Sequence, residues 1–500
     1  MSTLGSTFGL SASQRSALSP VFVTLGMALF CAYAVGTGQA RLAIAGGMLF
    51  ALMAAASVTP RLMIVVLLGI LCFFGDFRRF ITITYPHTGQ DPILLVPPLV
   101  VVLMMASLVA TRSLRFDSTL SKWVVAFLIL MTLQILNPQQ GGINVGIAGA
   151  LFTIVPVCWY WLGQVYATEE MVRKLVFVGL PVIGVLAGIL GTYQVFVGFL
   201  PFEQEWIDTE GYSSLWVADD VVRPFSWFTA ASEYAGFLMM AIVAAWALVS
   251  TRKRLDLIPI VGFMVVALFL IGSRGPMVKV FALFPIVWAI TSQNKASWVP
   301  RLALAAVIMV GAASYSLTAV SQMNVENEAA DMLVGRNADG LLNPMEAETS
   351  TVGKHSDMVQ RGFLSGFSNP LGIGLGSTTP ASKKFGGNRT SSEVDYTNFI
   401  LSLGLLGMVI YGGILFIVGW NSFWYYLSVR TPLALAIGGM LLIRIGGWTR
   451  GTEYFLAAFC WFMIGALDQF TTARREELAA EKAGLAEPDA PTEEAELVPA

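Results

Sequence analysis

Long apolar runs follow one another along most of this chain, and short polar connections separate them. A membrane-spanning helix needs roughly 20 apolar residues, and the runs predict about 12–14 such helices, with about fourteen as the preferred count. The predicted spans at 61–75 and 431–446 are short, so both are also compatible with re-entrant segments. The pattern therefore predicts an all-α polytopic membrane protein.

The apolar and polar stretches divide the chain into membrane and loop regions. The predicted regions are a cytoplasmic tail (1–19), N-terminal transmembrane helices (20–200), an outer loop (201–232), central transmembrane helices (233–320), a large outer loop (321–395), C-terminal transmembrane helices (396–469) and an acidic, disordered cytoplasmic tail (470–500). Residues 2–20 lack the features of a cleaved secretory signal, so the first span is expected to remain as an anchor.

Lysine and arginine in the short loops predict the orientation, because such residues collect on the cytoplasmic side. Counting spans puts four basic groups on one face: Arg112, Arg115 and Lys122; Arg173 and Lys174; 252–254; and Arg474 and Arg475. That face should be the cytoplasm, with both termini in it. Arg78 and Arg79 are the exception, since the same count puts them outside.

Composition agrees with the membrane prediction. Of the 500 residues, 56% are hydrophobic and 12% are charged, with a mean hydropathy of +0.70. Soluble domains usually carry about 25% charged residues, so a soluble globular protein is excluded. The four cysteines lie in apolar segments and the two histidines are far apart, so no disulfide framework or metal site is expected. The absence of P-loop and dinucleotide motifs argues against an ATP-driven pump.

The two outer loops carry the unusual polar content. The first combines carboxylates with aromatic residues, including Trp216 and Trp227, and such a mixture suits sugar binding. An interfacial aromatic belt is the alternative for these tryptophans. In the second loop, the spacing of apolar residues predicts a helix over Lys354–Phe367, which Asn369-Pro370 ends before the glycine-rich LGIGLGS.

Four stretches of the chain resemble the bacterial O-antigen polymerase and O-antigen ligase superfamily of membrane glycosyltransferases. They are VRPFSWFTAASEYAGFL at 222–238, GSRGP at 272–276, QRGFLSGFSNPLGIGLGS at 360–377 and EVDYTNFILSLGLLG at 393–407. The resemblance covers roughly residues 200–420. It implies a bacterial inner-membrane enzyme whose outer loops are periplasmic and whose substrate is a glycan on undecaprenyl diphosphate. It implies no cofactor, metal or nucleotide.

The resemblance also implies roles for several residues. Guanidinium groups can bind a diphosphate bidentately and stabilise the charge of the leaving group, and the candidates are Arg274, Arg223 and Arg361. Arg274 begins an apolar segment, where an arginine is costly and therefore expected to be functional. The alternative for Arg274 is a snorkelling arginine or a structural one paired with a carboxylate, and for Arg223 and Arg361 it is a structural role.

The acceptor hydroxyl also needs a base. Ligase members have a histidine where this chain has Glu393-Val-Asp-Tyr396, which weakens the ligase interpretation and makes Asp395 or Glu393 the candidate base. His355 is a further candidate, and a helix N-cap is the alternative role for Asp395. Tyr396 joins Trp216 and Trp227 as a candidate sugar-binding residue.

The resulting hypothesis is a polymerase that joins lipid-linked repeat units into an exopolysaccharide or O-antigen, with inversion at the anomeric carbon. Its expected partners are the undecaprenyl-diphosphate-linked glycan, membrane lipid and a polysaccharide co-polymerase that regulates chain length, with no nucleic acid. A ligase that transfers glycan to lipid A core or to protein remains open, as do a polysaccharide or lipid transporter and a structural scaffold. A transporter would place ionisable residues near the midplane and show internal repeats.

Overall fold

The computed structural model is almost entirely helical, which confirms the all-α prediction. It describes residues 29–86, 91–211, 215–218, 221–321, 326–342, 351–387, 390, 395–449 and 451–484. The predicted N-terminal tail, Glu393 and most of the acidic C-terminal tail lie outside the described residues. Within the described residues, the β structure is one antiparallel pair, in which Trp216 lies opposite Val222.

The structure describes ten α-helices before the pair of strands and another ten after it. The first ten are α1 (29–36), α2 (Ala40–Val58), α3 (Pro60–Cys72), α4 (Phe74–Thr84), α5 (Val96–Ala110), α6 (Thr119–Gln134), α7 (Ile143–Tyr166), α8 (Glu169–Lys174), α9 (Leu180–Phe196) and α10 (Pro201–Glu210). Strands β1 (Trp216–Ala218) and β2 (Val221–Val222) follow, and then α11 (Ala231–Arg252), α12 (Ile258–Phe269), α13 (Arg274–Ile290), α14 (Trp298–Ser321), α15 (Glu328–Leu342), α16 (Thr351–Ser368), α17 (Pro380–Lys384), α18 (Asp395–Val429), α19 (Pro432–Ile443) and α20 (Tyr454–Lys482).

Seven of the described helices are long and apolar enough to cross a membrane, so the chain has the helices of a multi-pass membrane protein. The bent pair α3–α4 would make an eighth span, and several further apolar helices are shorter. A π-helical segment, Leu175–Gly179, joins α8 to α9 in one continuous span. The larger predicted number of 12–14 spans counts shorter helices such as α6, α12 and α19 as full crossings.

Helices α20 and α11 form the centre of the bundle, since 83% and 78% of the residues in their most apolar 18-residue segments are buried. Helix α20 lies very close to α7. A side chain at Gly163 or Gly465 would overlap the backbone of the other helix. Small residues at a helix crossing allow this close approach. Beside the crossing, Asp468 accepts hydrogen bonds from Ser118 and Tyr160, both at 2.6 Å.

Two helices of the bundle are broken. Helices α3 and α4 meet at an angle of 61°, at the place where the sequence predicts a short span. Helix α18 breaks at Gly404, whose φ of 71° lies in the left-handed region. Glycine is required at this break, because a Cβ on Gly404 would overlap the carbonyl oxygen of Pro370.

The glycine segment 371–377 fills the break in α18. Its residues Ile373 and Gly374 donate backbone hydrogen bonds to Leu401 and Ser402, at 2.9 and 3.1 Å. From the other side, the buried Gln140 accepts a hydrogen bond from the backbone N–H of Gly376 at 2.9 Å. Backbone groups that the break frees thereby find partners within the protein, as irregular backbone at membrane depth requires. The structure confirms the helix predicted before this segment, which runs over Thr351–Ser368.

Candidate functional site

Three arginines meet at the hairpin of β1 and β2. Arg274 begins α13, and its Nε and Nη2 atoms donate to the backbone carbonyl of Arg336 at 3.2 and 2.9 Å. Arg336 in turn donates from Nη1 to the carbonyl of Val217 in β1, at 2.6 Å. Arg223 follows β2 directly, and its backbone N–H donates to Leu215 at 2.9 Å. Arg223, Arg274 and Arg336 are called the arginine cluster below.

The GSRGP motif has a local structural reason at its first glycine. Gly272 has a φ of +72°, and a Cβ there would lie 2.7 Å from the side chain of the buried Leu333 in α15. Asn337 of the same helix, also buried, donates to the carbonyl of Phe269 at the end of α12. Helix α15 therefore rests on the turn that precedes Arg274, and this contact brings Arg336 to the hairpin.

Arg336 is absent from the sequence-based candidates, whereas Arg274 and Arg223 are among them. The pairing of Arg274 with Arg336 joins positions that are 62 residues apart, so no local motif indicates it. The available signal is an arginine within a predicted outer loop, which by itself is unspecific. Arg361 lies on the exposed surface of α16, where its Nε donates to the carbonyl of Asp357 in the same helix.

Asp395 is the first residue of α18 and is 3% exposed. Its backbone N–H donates to Gly446 at 3.1 Å, and its Oδ2 accepts from the backbone N–H of Thr449 at 2.7 Å. Asp395 therefore fixes the start of α18 to the α19–α20 loop, residues 444–453, in addition to any role as a base or cap. Of the other candidate bases, Glu393 lies outside the described residues, and the same holds for the side chain of His355 within α16.

The candidate sugar-binding aromatic residues are half-buried and belong to two different packing clusters. Trp216 packs with Phe225 and its neighbours beneath the hairpin. The ring of Trp227 lies 4.9 Å from that of Phe73, between centroids, and that of Tyr396 lies 6.5 Å from Tyr411. Each ring thus contributes to the packing of the loops and helix ends that surround it.

A buried polar centre lies beneath the first outer loop, next to Arg79 of α4. Arg79 forms an ion pair with Asp76 at 2.7 Å and donates to the carbonyl of Phe228 at 2.7 Å. Its guanidinium also lies 3.9 Å from the ring centroid of Phe225 and 4.7 Å from that of Trp206. Arg79 therefore contacts the loop predicted to be on the outer face, the side to which the span count assigns it.

Glu203 in α10 belongs to the same polar centre. Gln194 donates to its Oε1 at 2.8 Å, and the backbone N–H of Leu200 donates to its Oε2 at 2.8 Å. Gln194 also accepts from the backbone of Ser226, at 2.8 Å. Burial, with the nearby charge of Asp76 as the second cause, raises the pKa of Glu203 to about 8. The side chain of Glu203 also interacts with that of Asp76 through a hydrogen bond.

The α19–α20 loop connects this region to the start of α18. Arg444 and Glu453 form a buried ion pair across the loop. Glu233 in α11 accepts from the backbone N–H of Phe455 at 2.8 Å and from the side chain of Thr229. These buried charges are not among the residues predicted from the sequence. The signal for Arg444 and Glu453 is their placement in a short connection between two apolar helices.

An apolar cavity of about 190 Å³ lies beside the α19–α20 loop, which contributes Gly451 to its wall. Leu95, just before α5, and Leu151 in α7 line it and are also exposed, so the opening lies on the apolar surface of the bundle. Asp91 and the exposed Lys384 supply the charged part of the lining. The apolar walls come mainly from α5, α7 and α20, with Pro97, Val101, Phe152, Val155, Trp159, Ala457 and Ala458.

Among the described residues, no group of three or more histidine, cysteine and acidic side chains is arranged to hold a metal ion. Comparison of the chain with known proteins gave no match to any protein-family model and none to any curated protein.

Proposed function

We propose that this protein is a bacterial inner-membrane glycosyltransferase that polymerises undecaprenyl-diphosphate-linked oligosaccharide repeat units at the periplasmic face. The arginine cluster is the observation that carries the proposal. Three arginines from segments about 50 to 110 residues apart meet at one hairpin of an apolar, helical chain. Such a group suits a diphosphate, because planar guanidinium forks match two phosphate oxygens at a time.

The apolar cavity gives the lipid part of the substrate a place to lie. Its walls are almost entirely hydrocarbon and its opening lies on the surface that would face lipid, so a polyprenyl chain can enter from the bilayer. The first outer loop reaches both regions, since it contains the hairpin and its Thr229 donates to Thr452 of the α19–α20 loop at 3.0 Å. In the proposed complex, the diphosphate of the substrate binds the arginines and its lipid chain occupies the cavity.

The reaction transfers a glycosyl group between two oxygen atoms. A hydroxyl oxygen of the acceptor unit attacks the anomeric carbon of the donor, and the bond from that carbon to undecaprenyl diphosphate breaks. The proton of the hydroxyl passes to Asp395 or Glu393, and the diphosphate leaves with the electron pair of the broken bond. Arg274, Arg223 and Arg336 stabilise the leaving group, while Arg361 stands at a separate place on α16.

Reconstitution of the purified protein with labelled lipid-linked repeat units, without nucleotide or added metal, tests the proposal. A ladder of longer lipid-linked products on a gel is expected. Transfer to added lipid A core without a ladder would indicate a ligase instead. Unchanged units under both conditions would overturn the glycosyltransferase proposal, and movement of intact units across the vesicle membrane would then identify a transporter.

An arginine outside the cluster provides the matched control. Arg254 forms an exposed ion pair with Asp256 at 2.7 Å, in a loop predicted to be cytoplasmic. Arg254→Lys should leave the ladder unchanged, whereas Arg274→Lys should shorten it, because lysine keeps the charge and loses the bidentate fork. Equal activity of the two variants would count against recognition of a diphosphate by Arg274.

A further inference from the structure

Helix α16 packs against the start of α18 through glycines. A Cβ on Gly362 would lie 2.9 Å from Cβ of Thr397, and one on Gly366 would overlap the side chain of Ile400. Gly362 and Gly366 are one turn apart and therefore lie on the same face of the helix. The two helices thus approach so closely that larger residues do not fit between them.

The face next to the glycines is apolar and exposed. Each residue advances roughly 100° around a helix, which puts Phe363 and Phe367 beside the glycine face and Leu364 farther around. Phe367 is 57% exposed, Leu364 is 55% exposed, and Leu371 just after the helix is 80% exposed. We call Val359, Phe363, Leu364, Phe367 and Leu371 the free apolar face. The remaining side of α16 carries the exposed polar residues Asp357, Arg361 and Ser368.

The position of α16 relative to the membrane follows from its alignment with α18. Gly362 lies at the level of Thr397 and Gly366 at the level of Ile400 and Leu405, so α16 runs parallel to the start of α18. Helix α18 has 35 residues and is longer than the roughly 20 that a bilayer requires. Its residues from Leu406 onward turn apolar side chains outward. The C-terminal end of α16 therefore lies where α18 enters the membrane.

The free apolar face is also continuous with the outer surface of the neighbouring span. Gln134, at the end of α6, donates from Nε2 to the carbonyl of Leu371 at 2.6 Å. The adjacent residues Leu133 and Leu136 are exposed apolar side chains. Leu371 thus lies between the exposed leucines at the end of α6 and Leu406 of α18. This surface has the composition of a lipid-facing belt.

We propose that the free apolar face of α16 inserts into the bilayer leaflet on the side at which α18 begins. Its occupant is membrane lipid, because the exposed apolar side chains join the lipid-facing surface of α6 and α18 at the same level. An amphipathic helix of this kind lies with its apolar side chains in the boundary between headgroups and acyl chains. Arg361, on the polar side, then reaches the lipid phosphates. The inference depends only on the multi-pass arrangement and is independent of the proposed enzymatic activity.

Site-directed spin labelling of the full-length protein in phospholipid nanodiscs tests the proposal. Phe367→Cys places a nitroxide on the free apolar face, and Ser368→Cys places one at the same height on the polar side. The half-buried Cys31 and Cys158 are first replaced by serine and alanine, respectively, while the buried Cys72 and Cys460 remain. The label at 367 is expected to be accessible to oxygen and protected from a nickel chelate, with the opposite pattern at 368.

Two other outcomes would overturn the proposal. Equal access of the nickel chelate to both positions would mean that the face lies in water. Protection of 367 from both reagents, with spin–spin broadening when a disc holds two copies, would mean that a second copy covers it. Benzoylphenylalanine at 367 or 368 of the protein with its native cysteines gives an independent result, for which a phospholipid adduct at 367 and none at 368 is expected.

Discussion

The side chain of Arg274 donates two hydrogen bonds to the backbone carbonyl of Arg336, at 3.2 and 2.9 Å. The contact joins the side chain of Arg274 to the backbone of Arg336, so the two guanidinium groups have different structural roles. Arg274 holds α15 in place, whereas the exposed guanidinium of Arg336 is bonded to a single carbonyl, that of Val217. Substitutions can therefore separate diphosphate binding from the support of the helix.

Arg336→Ala should reduce activity much more than stability. The variant keeps the carbonyl that Arg274 uses, and it loses the hydrogen bond to Val217, which is worth about 1 kcal/mol. A hydrogen bond to a charged group contributes about 1.5–3 kcal/mol, so a loss of activity of about 10- to 100-fold is expected. Polymerisation rate and thermal unfolding in detergent measure the two effects. Full activity of Arg336→Ala would remove this residue from the diphosphate site.

Asp395→Asn should separate the role of a base from that of a structural contact. The asparagine oxygen can still accept the hydrogen bond from Thr449, but the amide cannot take a proton from the acceptor hydroxyl. We expect activity to fall by about 100-fold or more, as for removal of a general base, with little change in melting temperature. Asp395→Ala should lower both. If Asp395→Asn stays active while Glu393→Gln does not, Glu393 is the base.

The raised pKa of Glu203 makes the stability of the protein depend on pH. Its pKa rises from an ordinary value of 4.5 to about 8 in the folded protein. The folded state then binds a proton that the unfolded state releases, so stability should fall as the pH rises from about 4.5 toward 8. Glu203→Gln, which stays neutral, should weaken this dependence. Melting temperatures of both proteins between pH 5 and 9 provide the test, and parallel curves would contradict it.

Filling the apolar cavity should weaken binding of the lipid-linked donor. Ala148 lines the cavity, whereas its neighbour Ile147 is 54% exposed on the outside of α7. Ala148→Trp is expected to raise the KM for the donor without changing kcat, because the bulky ring takes up space that the lipid chain would use. Ile147→Trp is the matched control and should leave both constants unchanged. An unaltered KM in Ala148→Trp would place the lipid chain elsewhere.

Removing one charge of the buried pair Arg444–Glu453 should destabilise the protein more than removing both charges together. Glu453→Gln leaves a buried guanidinium without its counter-charge, for which about 3–5 kcal/mol of destabilisation is typical. The double variant Arg444→Met with Glu453→Gln removes both charges, so its free energy of unfolding should exceed that of Glu453→Gln alone. Chemical denaturation of the single and double variants measures the coupling. Additive losses would contradict a direct charge interaction.

The sequence predicts the helices of this fold better than their breaks. The apolar spacing in Lys354–Phe367 and the following Asn369-Pro370 indicate both the helix α16 and its end. The break at Gly404 has no such local signal, because the apolar run continues through it. The break depends on backbone pairing between Ile373 and Leu401, which lie far apart in sequence. Local periodicity does not contain that information.

The same limit applies to the candidate site. Arg274 and Arg223 were predicted from their motifs, and the structure brings both to the hairpin. Arg336 and Arg444 owe their positions to contacts between distant segments, α15 with the end of α12 and the α19–α20 loop with α18. Charges in outer loops and short connections are common, so only the packed structure distinguishes these two from solvated arginines.

The left-handed residue at Gly404 also divides α18 mechanically. The first part, Asp395 to Leu403, is a short helical segment that joins the long span at one backbone position. The α19–α20 loop and α16 are both packed against this first part, through Asp395 and through the glycines of α16. Residue Gly404 therefore separates the long span from the part of α18 that contacts the loop carrying Arg444 and the helix carrying Arg361.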